Sequence, residues 1–361
     1  IYLQVLVEFG FGLTGARKTA VIESQEELNK LFNNIISSRI ILLALSFIIY
    51  LIISFVSGFT TQENLCFLVL FVILLGTTFQ LTWLFQGKQD MKFITIINCF
   101  SRFISTILIF VFIKNESMLY LYAFLYSFTI LLSSIISMIV AKKKYNLSFK
   151  FSKLKNIKSE IIEAKDLFYS SAMSKIFSSF GITILDFVST KDIVGIYSAI
   201  YKIPYVLTMV FSPISQAIFP YISIKMKKNF NDGIAFLKKV SIPIILFFSI
   251  IGIAIIVLKK WIILILFGKE YVKYSIIIIP LIIQFIFAII NNFLGVQFLV
   301  STDNKKLYSN AFFKAVLIII IANVILGYFF DIIGVAIAAT VGELSLTVFL
   351  LKNVIKVRNE V

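Results

Sequence analysis

Histidine is missing altogether from this chain, and cysteine occurs only twice. The first absence excludes Ser-His-Asp and Cys-His catalysis, HExxH metalloprotease sites and every histidine-ligated metal centre. Cys66 and Cys99 alone cannot build a cysteine-rich metal site, nor do they look like a disulfide framework. Charge is scarce as well: 14% of the 361 residues are Asp, Glu, Lys or Arg, against roughly 25% in an average soluble domain. No proline precedes Pro204. No Walker P-loop occurs, so the chain carries no ATPase of its own, and the lack of any D-x-D pattern argues against a sugar-nucleotide glycosyltransferase. Nothing resembles an enzyme active site, and no cofactor or metal is expected.

What remains is apolar. Hydrophobic residues make up 60% of the chain, and 39 of them are phenylalanine. A soluble domain has nowhere to bury that much apolar surface. A membrane helix needs about 20 apolar residues with few charges, and the gaps between charges expose such runs directly. Residues 40–62, 64–87, 117–141 and 275–302 carry no charge, and 240–258 is a fifth clean run. Five further stretches hold one or two charges: 93–113, 167–190, 193–224, 307–330 and 332–351. With the short opening 1–13, eleven spans are expected. Because the chain starts at Ile1 inside an apparent helix, with no basic leader or small-residue cleavage site, it is expected to lack one N-terminal span.

The basic residues orient these spans. Of 34 Lys and Arg, 24 fall in alternate loops (16–39, 88–92, 142–166, 225–239, 303–306 and the tail after 351), 6 in the opposite loops, and four inside spans. Basic loops mark the cytoplasmic side, so the C-terminus is expected in the cytoplasm. The formal charge of +16 is then a topology signal, and no nucleic-acid partner is expected. Segment 142–166 reads as a basic amphipathic linker on the inner leaflet, dividing residues 1–141 from 167–361. A second surface helix is expected over 25–37, with Ser24 as N-cap and Glu27 as its reciprocal partner.

Gly10, Gly12 and Gly15 match G-x-G-x-x-G, but a nucleotide site requires a strand before the motif and a βαβ unit around it; here it follows a membrane span. The chemically informative residues are the ionisable ones inside spans, where a charge is costly and usually faces a cavity or partner. They are Glu8, Arg102, Lys175, Asp186, Lys202, Lys314 and Glu343. Lys175 and Asp186 share a helical face but lie roughly 16 Å apart, too far to pair. Tyr197, Tyr201 and Tyr205 recur every four residues around Lys202, either as a packing stripe or as a face for a sugar-bearing ligand. Pro204, Pro213 and Pro220 fall in one span, where kinks could serve as a hinge or simply shape the packing.

Several segments resemble a known family. Val7-Glu8-Phe9-Gly10-Phe11-Gly12-Leu13-Thr14-Gly15-Ala16-Arg17 resembles the end of the second span of bacterial polysaccharide (O-antigen, Wzx-type) flippases. Trp83-Leu84-Phe85-Gln86-Gly87 with Met91-Lys92 is similar to that family's loop between spans four and five. Gly195-Ile196-Tyr197-Ser198-Ala199 and Phe219-Pro220 resemble its eighth span, and Phe267-Gly268-Lys269-Glu270-Tyr271 its link into the tenth. The resemblance implies an all-α polytopic membrane protein of the multidrug/oligosaccharidyl-lipid/polysaccharide (MOP) exporter fold, with two six-helix lobes.

It further implies a flippase of the bacterial cytoplasmic (inner) membrane that moves undecaprenyl-diphosphate-linked oligosaccharide from the inner to the outer leaflet by alternating access. The partners would be the lipid-linked oligosaccharide, membrane lipids, and the polysaccharide polymerase and chain-length machinery. On this reading Arg102, Lys175, Lys202, Lys314, Tyr197 and Tyr201 line the substrate cavity, while Glu8, Asp186 and Glu343 are candidates for ion coupling. A drug or cation exporter and a lipid II flippase share the fold. A membrane polysaccharide polymerase is the enzymatic alternative, but the external loops here are short.

Overall fold

The structure is a computed structural model describing residues 1–115 and 118–359; Ser117, where one charge-free run begins, lies outside them. The described residues contain helices and no strand. In chain order the α-helices are α1 (Tyr2–Glu8), α2 (Phe11–Val21), α3 (Gln25–Val56), α4 (Thr61–Leu70), α5 (Val72–Phe79), α6 (Thr82–Gly87) and α7 (Met91–Phe112). They continue with α8 (Leu119–Tyr145), α9 (Leu154–Val188), α10 (Lys191–Lys228), α11 (Phe230–Val257), α12 (Lys259–Phe267), α13 (Ile278–Asn292) and α14 (Lys305–Asn359). Among the described residues, nine helical stretches are long and apolar enough to cross a membrane, with α4 to α6 forming one such stretch. The 55-residue α14 is two helices joined at Asp331, whose φ of 49° and ψ of −132° leave the helical region. Two compact units result, Ile1–Lys175 and Ile176–Val361, and the chain passes between them inside α9.

Unit 1 is built on small residues. Lipid tails are as apolar as leucine, so helices in a bilayer associate through close packing rather than through burial from water. The face of α8 that packs inward carries Ala123, Ser127, Ser134, Ser137 and Ala141, all buried. Opposite it, a Cβ on Gly76 of α5 would lie 2.8 Å from the backbone of Ile130 and Leu131, so this crossing admits only glycine. Towards the basic-loop end, the fully buried Trp83, Phe85, Phe11, Ile35 and Ile36 form a conventional apolar core.

That end departs from expectation in two ways. The separate surface helix expected over 25–37 does not exist: α3 is one 32-residue helix, started by Ser24, whose Oγ accepts the Glu27 N–H. The complete reciprocal box forms instead at Thr60–Glu63. Nor is 142–166 a free amphipathic helix. After Tyr145 the chain runs extended and then enters α9 at Leu154. The extended part lies along α3, where Asn29 Oδ1, Asn33 Oδ1 and Ser37 Oγ accept from the backbone N–H of Ser148, Lys150 and Ser152 at 3.0, 2.9 and 2.9 Å. The spacing explains the match. Four helical residues rise about 6 Å and two extended residues about 6.6 Å, so every fourth side chain of α3 meets every second amide.

Ion pairs fasten the same region. Lys18 of α2 binds Glu160 and Glu163 of α9, both at 2.8 Å. Burial pulls the Lys18 ammonium down, but the two carboxylates more than offset this and hold it above the usual lysine range. The lysine's contribution is therefore complete at neutral pH and is lost as pH rises past that raised value. Lys144 and Tyr145 both donate to Asp90, which holds its carboxyl below the usual range.

In unit 2, α10 runs unbroken through Pro204, Pro213 and Pro220 for 38 residues. Pro243 sits inside α11. Beside the Asp331 turn, a Cβ on Gly334 would fall 1.8 Å from the Leu326 carbonyl oxygen.

Two outcomes follow. Gly334→Ala should lower stability by about 2 kcal/mol or more through overpacking, whereas Gly195→Ala, with nothing within 4 Å of its Cβ, should be neutral or stabilising by up to about 1 kcal/mol; thermal unfolding in detergent reads both. Removing one rung of the α3 ladder with Asn33→Ala should speed trypsin cleavage at Lys150 and Lys153 about fivefold, since one hydrogen bond contributes about 1 kcal/mol to keeping the segment closed.

Candidate functional site

The sequence G-F-G at 10–12 breaks a helix. Phe9 and Gly10 both adopt left-handed backbone, with φ of 45° and 75°, which separates α1 from α2. Gly10 is required twice over, by its φ and because a Cβ would lie 2.8 Å from the Leu167 side chain. Gly15 admits the Trp83 ring at a similar distance. The motif is thus a helix break with close packing around it. The break leaves Glu8 at the end of α1, where it borders two grooves of unit 1.

One groove, of about 340 Å³, is lined by Glu8 and Leu13, and by Ser170, Ser171, Ser174 and Lys175 of α9. The other, of about 260 Å³, is lined by Gln4, Glu8, Arg39, Thr77, Gln80, Thr82, Trp83 and Gln86. Arg39 is 3% exposed. Its Nη1 donates to the carbonyls of Thr77 and Gln80 at 3.2 and 2.8 Å, and its Nε finds no acceptor among the described residues. The two carbonyls are open because α5 stops at Phe79 and Gln80 turns extended, and a cation is favourable at such a helix C-terminus. Gln4 Nε2 reaches Thr77 Oγ1 at 3.3 Å. The groove therefore offers amides, hydroxyls, one carboxylate and one guanidinium.

Unit 2 holds a second polar centre. Glu343 of α14 is buried, and Asn291 Nδ2 donates to its Oε2 at 2.7 Å and to its backbone carbonyl at 2.9 Å. Thr347 Oγ1 donates to Asn291 Oδ1 at 2.7 Å. Immediately after α13 the helix widens to π geometry over Phe293–Val300, a distortion common at functional sites. There Gln297 Nε2 donates to the carbonyl and hydroxyl oxygens of Ser215 at 2.9 and 3.0 Å, and Ser215 Oγ donates to Asn292 Oδ1 at 2.7 Å.

The residues singled out from the sequence are distributed unevenly over these centres. Glu8 and Lys175 share one groove. Glu343 anchors the unit 2 centre. Tyr197 is 3% exposed, belongs to an apolar core, and stacks on Tyr201 with ring centroids 5.9 Å apart. Asp186 pairs with Lys191 at 2.9 Å. Lys314 lies over the Phe349 ring at 5.8 Å. Arg102 and Lys202 are exposed, and Arg102 lines neither unit 1 groove.

Arg39 sits at the edge of a charge-free run, where the sequence alone places it in a loop. The structure buries it, since α3 begins at Gln25 and Arg39 lies midway along it. The N-cap at Ser24, followed through at helical rise, would have placed it at depth. Asn291, Gln297, Gln80 and Gln4 are neutral, and no scan for charges finds them.

Comparison with known proteins follows the same direction. The family model described as polysaccharide biosynthesis protein matches residues 1–226. A protein of Escherichia coli (strain K12) named "Putative O-antigen transporter" is 25% identical over 353 residues, covering 97% of this chain and 85% of that protein. Its namesake in Shigella dysenteriae is 25% identical over 359 residues, covering 98% and 88%. Among solved structures, "Lipid II flippase MurJ, inward closed conformation" superposes with a TM-score of 0.74 at 19% identity, covering 98% of this chain and 80% of that one. At that identity the likeness shows the fold, which is the MOP exporter fold expected from the sequence. With more than half its length matched by the family model, the chain belongs to the polysaccharide biosynthesis protein family.

Proposed function

We propose that the chain is a flippase of the bacterial inner membrane that carries an undecaprenyl-diphosphate-linked oligosaccharide repeat unit from the inner to the outer leaflet by alternating access. The observation that carries this reading is the groove around Arg39. Within a unit built of apolar helices it gathers three glutamines, two threonines, a carboxylate and a buried guanidinium. Hydroxyl-rich sugars need paired donors and acceptors, which amides supply. A diphosphate needs a cation with directional donors, and arginine is suited to it. Family membership and the names of the two bacterial relatives agree with the reading.

The residues then take roles. Arg39, Gln4, Gln80 and Gln86 hold the headgroup, and Lys175 extends the basic surface into the neighbouring groove that Glu8 also borders. Arg102, Lys202 and Lys314, with Tyr197 and Tyr201, are the further cavity residues of this reading. Glu343, held by Asn291 and Thr347, is the foremost candidate for ion coupling; Asp186 is engaged by Lys191. Residues 1–141 and 167–361 act as the two lobes, 142–166 joins them, and Pro204, Pro213 and Pro220 serve as the hinge in α10. The C-terminus lies in the cytoplasm. Translocation breaks no bond, so no catalytic residue is assigned. The polysaccharide polymerase and chain-length machinery are the natural partners.

A second reading, lipid II as cargo, is favoured by the fold likeness alone. Complementation separates the two: the wild-type gene should restore surface polysaccharide to a strain lacking its O-antigen flippase and should not rescue depletion of a lipid II flippase.

Arg39→Ala should cut surface polysaccharide about tenfold or more while the protein remains in the membrane, and Arg39→Lys should retain part of it. Undiminished polysaccharide in Arg39→Ala would remove the groove from the transport route. Arg102→Ala and Lys202→Ala should also reduce surface polysaccharide; normal levels in both would take those two residues out of the cavity.

A further inference from the structure

A feature that transport does not use lies where α10 meets α11. The turn is capped: Asn229 Oδ1 accepts from the backbone N–H of Asn231 and Asp232 at 3.0 and 3.3 Å at the start of α11. A Cβ on Gly233 would lie 2.6 Å from Met226 Sδ, so the two helix ends are in close contact. Beside this corner opens a groove of about 650 Å³ lined by Lys225, Lys228, Asn229, Asp232, Phe236 and Lys239. Lys225 Nζ lies 4.3 Å from the centroid of the Phe236 ring, which fixes its stem along the groove wall. Three ammonium groups face a single carboxylate, and the described residues form no ion pair with any of the three. The groove is therefore an unneutralised cationic recess.

Its surroundings say what fits. On α10, Tyr221 and Ile224 stand one turn before Lys225 and Lys228 on the same face. On α11, Ile242 and Leu246 continue the face of Asp232, Phe236 and Lys239. All four of these apolar side chains are exposed. Both walls thus change from charged to apolar within a turn or two, in the direction that leads into the spans. A soluble anion would match the lysines and leave the apolar strips unused. An amphiphile with an anionic head matches both. The distribution of basic residues puts this corner on the cytoplasmic side.

We infer that the groove between the end of α10 and the start of α11 is a binding site for the phosphate-bearing headgroup of an inner-leaflet anionic phospholipid. The acyl chains lie along Tyr221 and Ile224 of α10 and Ile242 and Leu246 of α11. Basic pockets between spans on the cytoplasmic face attract such headgroups.

The test uses the full chain purified in detergent, with bound lipid counted by native mass spectrometry. The probes are phosphatidylglycerol, phosphatidylcholine of the same acyl length, and sn-glycerol 3-phosphate. Wild type should retain phosphatidylglycerol about tenfold better than phosphatidylcholine, and sn-glycerol 3-phosphate should not displace it. The variant Lys225→Gln/Lys228→Gln/Lys239→Gln should lose most of that preference, while the charge-matched Lys143→Gln/Lys306→Gln/Lys352→Gln should keep it. Should the triple variant fail to fold, Lys228→Gln alone should reduce the preference severalfold. Equal retention by wild type and the groove variants would overturn the site. Displacement by sn-glycerol 3-phosphate at equal concentration would overturn the lipid assignment in favour of a soluble phosphate site.

Discussion

The Thr77 and Gln80 carbonyls, left open where α5 stops inside an apolar unit, are held by the Arg39 guanidinium. The same constraint recurs after α13. In a bilayer no water is at hand to satisfy a freed backbone group, so irregular backbone persists only where protein or a polar cavity supplies partners. After α13, Gln297 in the π-helical stretch ties it to α10, and Ser301 at its end bonds back to its own preceding turn. At these two places the break in regular helix and the polar side chains coincide. The two polar centres of the molecule stand at such interruptions.

This explains what could be read from the sequence and what could not. Spans were legible because charge is excluded from lipid, and the exclusion leaves long gaps. The Asp331 turn could be anticipated for the same reason, lying between two apolar runs. Arg39 defeated that logic. A charge paid for by helix-end carbonyls can be buried, and the edge of a gap does not separate a buried cation from a loop cation. The neutral members of the polar centres, Asn291, Gln297, Gln80 and Gln4, were illegible, since an amide interrupts a hydrophobic run no more visibly than a surface residue does. Of the seven ionisable residues expected to matter, Glu8 and Glu343 occupy polar centres and Lys175 shares a groove with Glu8. Asp186 is neutralised at a helix turn by Lys191, a pairing five residues long that depends on the turn and not on helical spacing.

The linker shows a different limit. Segment 142–166 was legible as basic and amphipathic, and those properties suggested a surface helix. Its conformation is decided elsewhere in the chain, by Asn29, Asn33 and Ser37 on α3. Helical and extended periods rarely coincide over more than two contacts, but four residues of one and two of the other nearly do. Three polar residues at fourfold spacing could equally have marked a solvated face. Only the partner segment makes them a template, and it lies 119 residues away at the first rung.

The glycines of G-F-G-L-T-G show how a motif can be fully accounted for without the chemistry it is known for. A dinucleotide site uses its glycines for a tight turn, a backbone approach to phosphate and a close helix contact. Here Gly10 makes the turn and Gly15 the close contact, with Trp83 in place of a neighbouring strand. The third requirement is replaced: a Cβ on Gly12 would lie 2.9 Å from Glu8 Oε1, so the bare backbone at this position leaves room for a carboxylate. Identical steric demands put the same residue at the same spacing, and the chemistry differs because the preceding element is a helix and not a strand. What the motif reports is the geometry of a chain forced to turn in a crowded place; in this protein that place is the wall of the polar groove.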